Sequence, residues 1–182
     1  MVGTANNRRT IYTKKAIREA FLHLLELKEV EKITVKEITD LADINRGTFY
    51  KYYKDTFDLL QKIEEEILSD LLGQIQLNDQ PMEYWLTALL EKIEDSPEVR
   101  ILVLGNNTRT LLIPLLERIK PKTFKHFLQF FPEATTDEME LYLAYFVEGS
   151  VGLITRWLKD YKTMSAQKVC SLLLSVYRTE IY

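Results

Sequence analysis

The residues from 46 to 54 carry the densest chemistry in this chain. Arg46, Thr48, Tyr50, Lys51, Tyr53 and Lys54 place hydrogen-bond donors and aromatic rings within nine positions. Such a run suits nucleic acid. A guanidinium meets both acceptors on a guanine edge, a threonine methyl packs on the methyl of thymine, and lysine or tyrosine reaches phosphate oxygens. The same composition also suits a solvated amphipathic helix whose aromatics, Phe49 and Tyr52 among them, turn toward a core.

Other chemistries find less support. His23 and His126 are the only histidines, and neither has a second ligand at helical spacing, so no metal site is expected. Cys170 is the only cysteine. It lies in an apolar run, where a thiol reads as a small buried hydrophobe and no intramolecular disulfide can form. No Gly-rich phosphate loop, G-x-S-x-G, H-E-x-x-H or C-x-x-C pattern occurs. Neither an enzyme nor a cofactor is expected.

The donors need an element to carry them. Thr34 and Glu37 have capping-box spacing, so a short helix starts there with Val35, Ile38, Leu41 and Ala42 inward. Asn45 caps a second short helix, expected over 46–53. Two short helices across a turn of about four residues form a helix-turn-helix, whose second helix enters a major groove. Ahead of them, Ile17, Ala20, Phe21, Leu24 and Leu25 mark one face of a helix over 11–28, with Lys14, Lys15 and Arg18 mostly off that face.

The run Thr34-Val35-Lys36-Glu37-Ile38 through Leu41-Ala42, then Arg46-Gly47-Thr48-Phe49-Tyr50, Tyr53-Lys54-Asp55 and Leu59-Leu60 resembles the DNA-binding domain of TetR-type repressors. The resemblance covers about residues 10–60. It implies an all-helical homodimer with a three-helix DNA-binding head and a helical regulatory body. It also implies DNA contacts from Thr34, Lys36, Arg46, Gly47, Thr48, Tyr50, Lys51, Tyr53, Lys54 and Thr56. Two positions depart from the family pattern. Asp43 stands where the family usually has Gly in the turn, and Thr56 where it often has Lys at phosphate. Asp tolerates a left-handed backbone better than most residues.

Charge divides along the chain. Positions 1–56 hold 11 Lys and Arg against 8 Asp and Glu, and the remainder holds 13 against 19. A basic head on an acidic body confines nucleic-acid contact to the head. The expected division is therefore 1–56 for DNA and 57–182 for ligand sensing and dimerisation. Composition is that of a globular protein, 46% hydrophobic and 28% charged. No signal peptide or membrane span is legible, and a cytoplasmic location is expected.

Beyond residue 56 the patterning predicts helices near 56–76, 81–94, 97–105, 107–131, 136–159 and 166–179, about nine in all and no strand. Pro114 should disturb the fourth of these and Pro121 should break it. Tyr145 to Leu158 resembles one C-terminal subclass of the family. Its members include regulators of unknown effector and others similar to coactivators that bind a kinase subunit. Gly149 and Gly152 inside a helix cost about 1 kcal/mol each relative to Ala. The expected return is close approach of helices, in a four-helix dimer interface with Gly149, Ser150, Gly152, Leu153, Leu172 and Val176, or else within one subunit.

The resemblance implies an effector pocket in the body, with Tyr84, Trp85, Leu89, Leu102, Leu112, Phe127, Phe146 and Trp157 as candidates, although ordinary core packing explains each of them. The expected partners are double-stranded DNA with a palindromic operator, a second copy of the chain, and a small-molecule or protein effector. The expected activity is repression relieved by that effector. The alternative is a coactivator or adaptor whose body binds a protein.

Overall fold

The structure, a computed structural model, describes residues 3–73, 80–105 and 108–178, without the side chains at 3–7, 108–109, 122, 125–127, 129–130 and 176–178. The described residues form nine α-helices and one 3-10 turn, with no strand. The all-helical class expected from the patterning is what the chain adopts. Two compact units divide it, residues 1–66 and 67–182.

In the first unit α1 runs Gly3–Leu27, a 3-10 turn covers Val30–Lys32, α2 is Val35–Leu41, α3 is Arg46–Tyr50 and α4 starts at Thr56. Helix α1 begins earlier than its apolar periodicity, because nothing in the polar segment ahead of it breaks a helix. Ile17 and Phe21 from α1, Ile38 from α2, Phe49 from α3 and Leu59 from α4 are fully buried together. Each contributes roughly 1.5–3 kcal/mol by leaving water. Asn45 accepts from the amide of Thr48 at 2.7 Å, and Asp55 accepts from that of Asp58 at 2.8 Å. Helix α3 ends at Tyr50, three residues short of the expected end. The amides of Tyr52 and Tyr53 both turn back to the Phe49 carbonyl, at 2.9 and 3.0 Å, which tightens the chain into a turn.

The second unit holds the end of α4 (Thr56–Gly73), then α5 (Met82–Asp95), α6 (Pro97–Leu104), α7 (Thr108–Phe130), α8 (Thr136–Asp160) and α9 (Ala166–Arg178). Helix α5 packs on α9, and α7 on α8. Ser96 caps α6 with Pro97 in its first turn, Thr135 and Glu138 close the capping box of α8, and Ser165 caps α9. The expected break at Pro121 does not occur, since α7 continues through both Pro114 and Pro121. A proline inside a helix costs about 3 kcal/mol. Here Leu115, Leu116 and Ile119 are buried between the two prolines, and Thr123 beyond them is buried with its hydroxyl on the Ile119 carbonyl at 3.1 Å. That burial outweighs the missing backbone bonds. The helix expected over 81–94 begins at Met82, with Pro81 in the cap position, and the expected end of α4 at 76 falls outside the described residues.

The turn between α2 and α3 is the tightest feature of the first unit. Asp43 has φ 51°, in the left-handed region. The amide of Ile44 returns to the Thr39 carbonyl at 3.0 Å, closing the end of α2 in the Schellman manner. Asp at this position pays a Cβ penalty that Gly avoids. Asp43→Gly should therefore melt at or above the parent temperature. Asp43→Val should cost about 1–2 kcal/mol, because a branched Cβ fits the left-handed region worst. Equal thermal melts for Asp43→Val and the parent would remove this strain from the account.

Candidate nucleic-acid interface

Three anchors orient α3. Phe49 is fully buried, its ring edge-on to Tyr50 at 5.6 Å and tilted against Tyr53 at 5.6 Å. Asn45 holds the helix start, accepting from both the amide and the hydroxyl of Thr48. Beyond the helix, the Lys62 ammonium donates to the Tyr52 carbonyl at 3.0 Å and to Asp58 at 2.8 Å, and Asp58 accepts from the Lys54 amide. These bonds hold the Asp58 carboxyl below its ordinary range, Lys62 contributing most.

The anchors leave one face open. Arg46, Gly47, Tyr50, Lys51 and Lys54 are exposed, Tyr50 by 56%, and Thr48 is half-buried. A Cβ on Gly47 would sit 3.3 Å from the capping oxygen of Asn45, so Gly lets the cap close without a push. Lys36 is exposed on α2. Thr34 is exposed as well, but its hydroxyl donates to Glu37 within the capping box.

Two expected members of this face need correction. Tyr53 is only 8% exposed and Thr56 only 7%. The Tyr53 ring is drawn in by Phe49 and covered by the Lys62 ammonium at 5.2 Å. Its phenol is pushed up, mainly by burial. Thr56 opens α4, where the turn into the helix packs it against the unit. The cap at Asn45 is where the sequence places it, but periodicity did not mark Lys62 or Asp58 as residues that set this geometry, although their spacing of four is a visible helical pair.

In the second unit the two glycines of α8 are not used for close packing inside the chain. Gly149 and Gly152 lie exposed on α8, and a Cβ on either would meet nothing within 4 Å. Leu153 is half-buried and Leu172 is 38% exposed. Gly152, Leu153, Trp157, Val169 and Leu172 line an apolar groove of 370 Å³ that also takes in Arg156, Tyr161 and Met164. Ser150 faces inward, fully buried, and its hydroxyl has no hydrogen-bond partner. Ser150 was expected at a dimer interface, and its burial within one chain instead fits the alternative of packing inside the subunit. The Val176 side chain lies outside the described residues.

Of the pocket candidates, Trp85, Leu89, Leu102, Leu112, Phe146 and Trp157 are closely buried. Tyr84 is 65% exposed on α5, turned away from that core, and is corrected to a surface residue. The Phe127 side chain lies outside the described residues. The Trp157 indole donates to the Met164 carbonyl at 2.8 Å, which ties α8 to the turn before α9. Among the described residues there is no cluster of His, Cys, Asp and Glu that would hold a metal ion, and no helix long and apolar enough to cross a membrane.

Glu37 braces the site from behind. Its carboxylate accepts from the Lys28 ammonium at 2.5 Å and from the Thr34 amide at 2.9 Å, joining the end of α1 to the start of α2. Its pKa falls from 4.5 to about 2, Lys28 being the largest cause and the Thr34 bonds the next. A carboxyl depressed in the folded state stabilises that state above its unfolded pKa and stops doing so as pH falls through the folded value. The contribution should therefore be intact above pH 4.5 and drain away toward about pH 2. In thermal melts followed by circular dichroism, Glu37→Gln should lower the melting temperature at neutral pH and flatten its fall over that acid window. An unchanged acid profile would show that the brace is not felt in solution.

No family model matches the chain. The uncharacterized HTH-type transcriptional regulator YxbF of Bacillus subtilis is 28% identical over 167 residues, which cover 86% of this chain and 42% of that protein. The HTH-type dhaKLM operon transcriptional activator DhaS of Lactococcus lactis is 34% identical over 68 residues, 37% of this chain and 36% of that protein. The chain thus spans less than half the length of these curated relatives. Solved structures match along nearly the whole chain. A TetR transcriptional regulator from Streptococcus agalactiae superposes with TM-score 0.75 at 21% identity, covering 95% of this chain and 97% of that one. The fatty acid degradation regulator FadR from Bacillus halodurans gives 0.70 at 15%, covering 93% and 96%. The dihydroxyacetone kinase operon activator DhaS gives 0.57 at 22%, covering 94% and 97%. At these identities the likeness is one of architecture: the chain has the fold of the TetR-family regulators.

Proposed function

We propose that the chain is a sequence-specific, DNA-binding transcriptional regulator that reads the major groove with α3. The observation that carries this reading is the exposed face of Arg46, Tyr50 and Lys51 on a helix locked by Phe49, Asn45 and the Asp58–Lys62 pair. Arg46 and Thr48 are placed to read base edges. Tyr50, Lys51, Lys54 and Lys36 are placed to reach phosphates. The regulatory character of the relatives agrees with this assignment.

Arg46→Ala and Tyr50→Ala should each weaken specific binding by about 1–3 kcal/mol, with the fold intact, since neither side chain supports the core. Gel shifts on duplexes selected from a random pool, at fixed salt, measure the loss. Unchanged affinity in both variants would move the reading surface elsewhere.

One head presents one short helix to one groove, which is too little for tight specific binding. We infer a twofold dimer on an imperfect palindrome, joined through α8 and α9. The open space at Gly149 and Gly152 and the apolar groove beside Gly152 support this joint. Within one chain a Leu at 152 has room. Gly152→Leu should therefore fold normally yet push the dimer toward monomer and abolish operator binding, measured by light scattering beside gel shift. A variant that stays dimeric and binds normally would place Gly152 outside the joint.

Such a dimer represses when its operator overlaps a promoter. Activation is the second reading, favoured by the activator DhaS among the relatives. In vitro transcription from a promoter carrying the selected operator separates the two by the sign of its response.

A further inference from the structure

Two cations from different helices of the first unit share one ring. The Lys14 ammonium on α1 lies 5.9 Å from the centroid of Tyr52, and the Lys51 ammonium at the end of α3 lies 5.6 Å from it. The Tyr52 hydroxyl lies 3.5 Å from the hydroxyl of Thr10, one turn before Lys14 on the same side of α1. The ring is fixed from below, because the Tyr52 amide donates to Phe49 and its carbonyl accepts from Lys62. Lys14 and Lys51 are both exposed, and neither carries an ion pair among the described residues. By contrast Lys15, the next residue of α1, pairs with Glu19 at 3.7 Å, and Arg18 pairs with Glu66 at 2.6 Å.

The shared ring holds the two ammonium groups no more than about 11.5 Å apart. Two exposed like charges at such spacing are stabilised by a polyanion that runs past both. We infer that Lys14 and Lys51, spaced by the Tyr52 ring, form a phosphate-binding strip that carries the DNA footprint from α3 onto α1. The occupant is the sugar-phosphate backbone of a duplex, because the strip adjoins the exposed face of α3 and matches only the sign of the charge. It presents ammonium groups, which contact phosphates as point charges and carry no base code. This inference rests on the DNA-binding reading above. It adds Lys14, Thr10 and Tyr52 to that surface, and the apolar periodicity of α1 had left Lys14 as a solvated side chain.

The test is a salt titration of binding, followed by fluorescence anisotropy with labelled mixed-sequence duplexes. Lys14→Gln should lower the slope of log affinity against log salt by about 0.9 for each head engaged. The loss should be the same for duplexes of different sequence. Lys14→Arg should restore the slope, and Lys15→Gln should leave it unchanged. The proposal is overturned if Lys14→Gln keeps the parent slope, or if Lys15→Gln lowers it equally, which would make the effect one of net charge. A loss confined to one sequence would also overturn it, because Lys14 would then be reading bases. If the parent protein binds no duplex in a salt-dependent way, the DNA-binding reading fails and the strip fails with it. Thermal melts of each variant verify that the fold is unchanged.

Discussion

The reading surface depends on a single left-handed residue. With Asp43 at φ 51°, the chain reverses between α2 and α3 in few residues, and the Ile44 amide can return to Thr39. That reversal brings Phe49 into the core formed with Ile17, Phe21 and Ile38. With Phe49 buried, Arg46 in the first turn of α3, Tyr50 at its end and Lys51 at its cap are left exposed. A groove-reading helix gains specificity only if its side chains keep their geometry, so the rigidity of this turn sets how sharply bases are discriminated. Helix α3 is five residues long, too short to hold itself in water. Its order comes from the turn before it, the cap at Asn45, and the Asp58–Lys62 pair behind it.

Much of this was legible because capping is local. A Thr or Asn with the right residue three positions on announces a helix start, and the starts read at Thr34 and Asn45 hold; Asp55, Ser96, Thr135 and Ser165 cap the later helices in the same way. The register of the helix-turn-helix followed from the same signals. Helix ends were less legible. Helix α3 stops at Tyr50 because two amides compete for the Phe49 carbonyl, and that competition depends on where Tyr53 packs. Pro121 looked like a break because local rules charge the lost backbone bond in full. They cannot credit the burial of Ile119 and Thr123, which is decided by how α7 packs on other helices, α6 and α8 among them.

The candidate sites divide on the same line. Arg46, Tyr50, Lys51 and Lys54 were legible as exposed donors because a helix with one buried aromatic must show its other faces. Tyr53 and Thr56 were misplaced because a tyrosine or threonine beside a helix end suits both surface and core; the Lys62 and Phe49 contacts decide it for Tyr53, and packing at the start of α4 buries Thr56. The pocket candidates are ambiguous for a different reason. Apolar periodicity identifies inward residues, but it is blind to whether the inward space is filled or empty. Trp85, Leu89, Leu102 and Phe146 are buried, which suits core and pocket lining alike, and Tyr84 lies on the other face. Helical glycines were ambiguous in the same way, since a small residue serves close packing with its own chain or with another. The open space at Gly149 and Gly152 excludes the first use.

The division of charge gives these local facts a common direction. The head carries a small excess of cations, 11 against 8 over residues 1–56, and several of those are consumed internally, Lys28 by Glu37 and Arg18 by Glu66. Among the described residues, the exposed cations of the head outside ion pairs are Arg8, Arg9, Lys14, Lys36, Arg46, Lys51 and Lys54, and on the reading proposed above they are the ones open to DNA. Each phosphate neutralised contributes less than one unit to the salt dependence, so a single head of this kind binds weakly at physiological salt. Joining two heads adds their contacts while the ordering cost is paid once. The body contributes no favourable field, holding 13 cations against 19 anions beyond residue 56. On the DNA-binding reading proposed above, its net negative charge adds no attraction for a phosphate backbone. In the proposed dimer, affinity is then limited by how many heads reach the duplex at once, and the open face of α8 and α9 is the proposed place where that number is set.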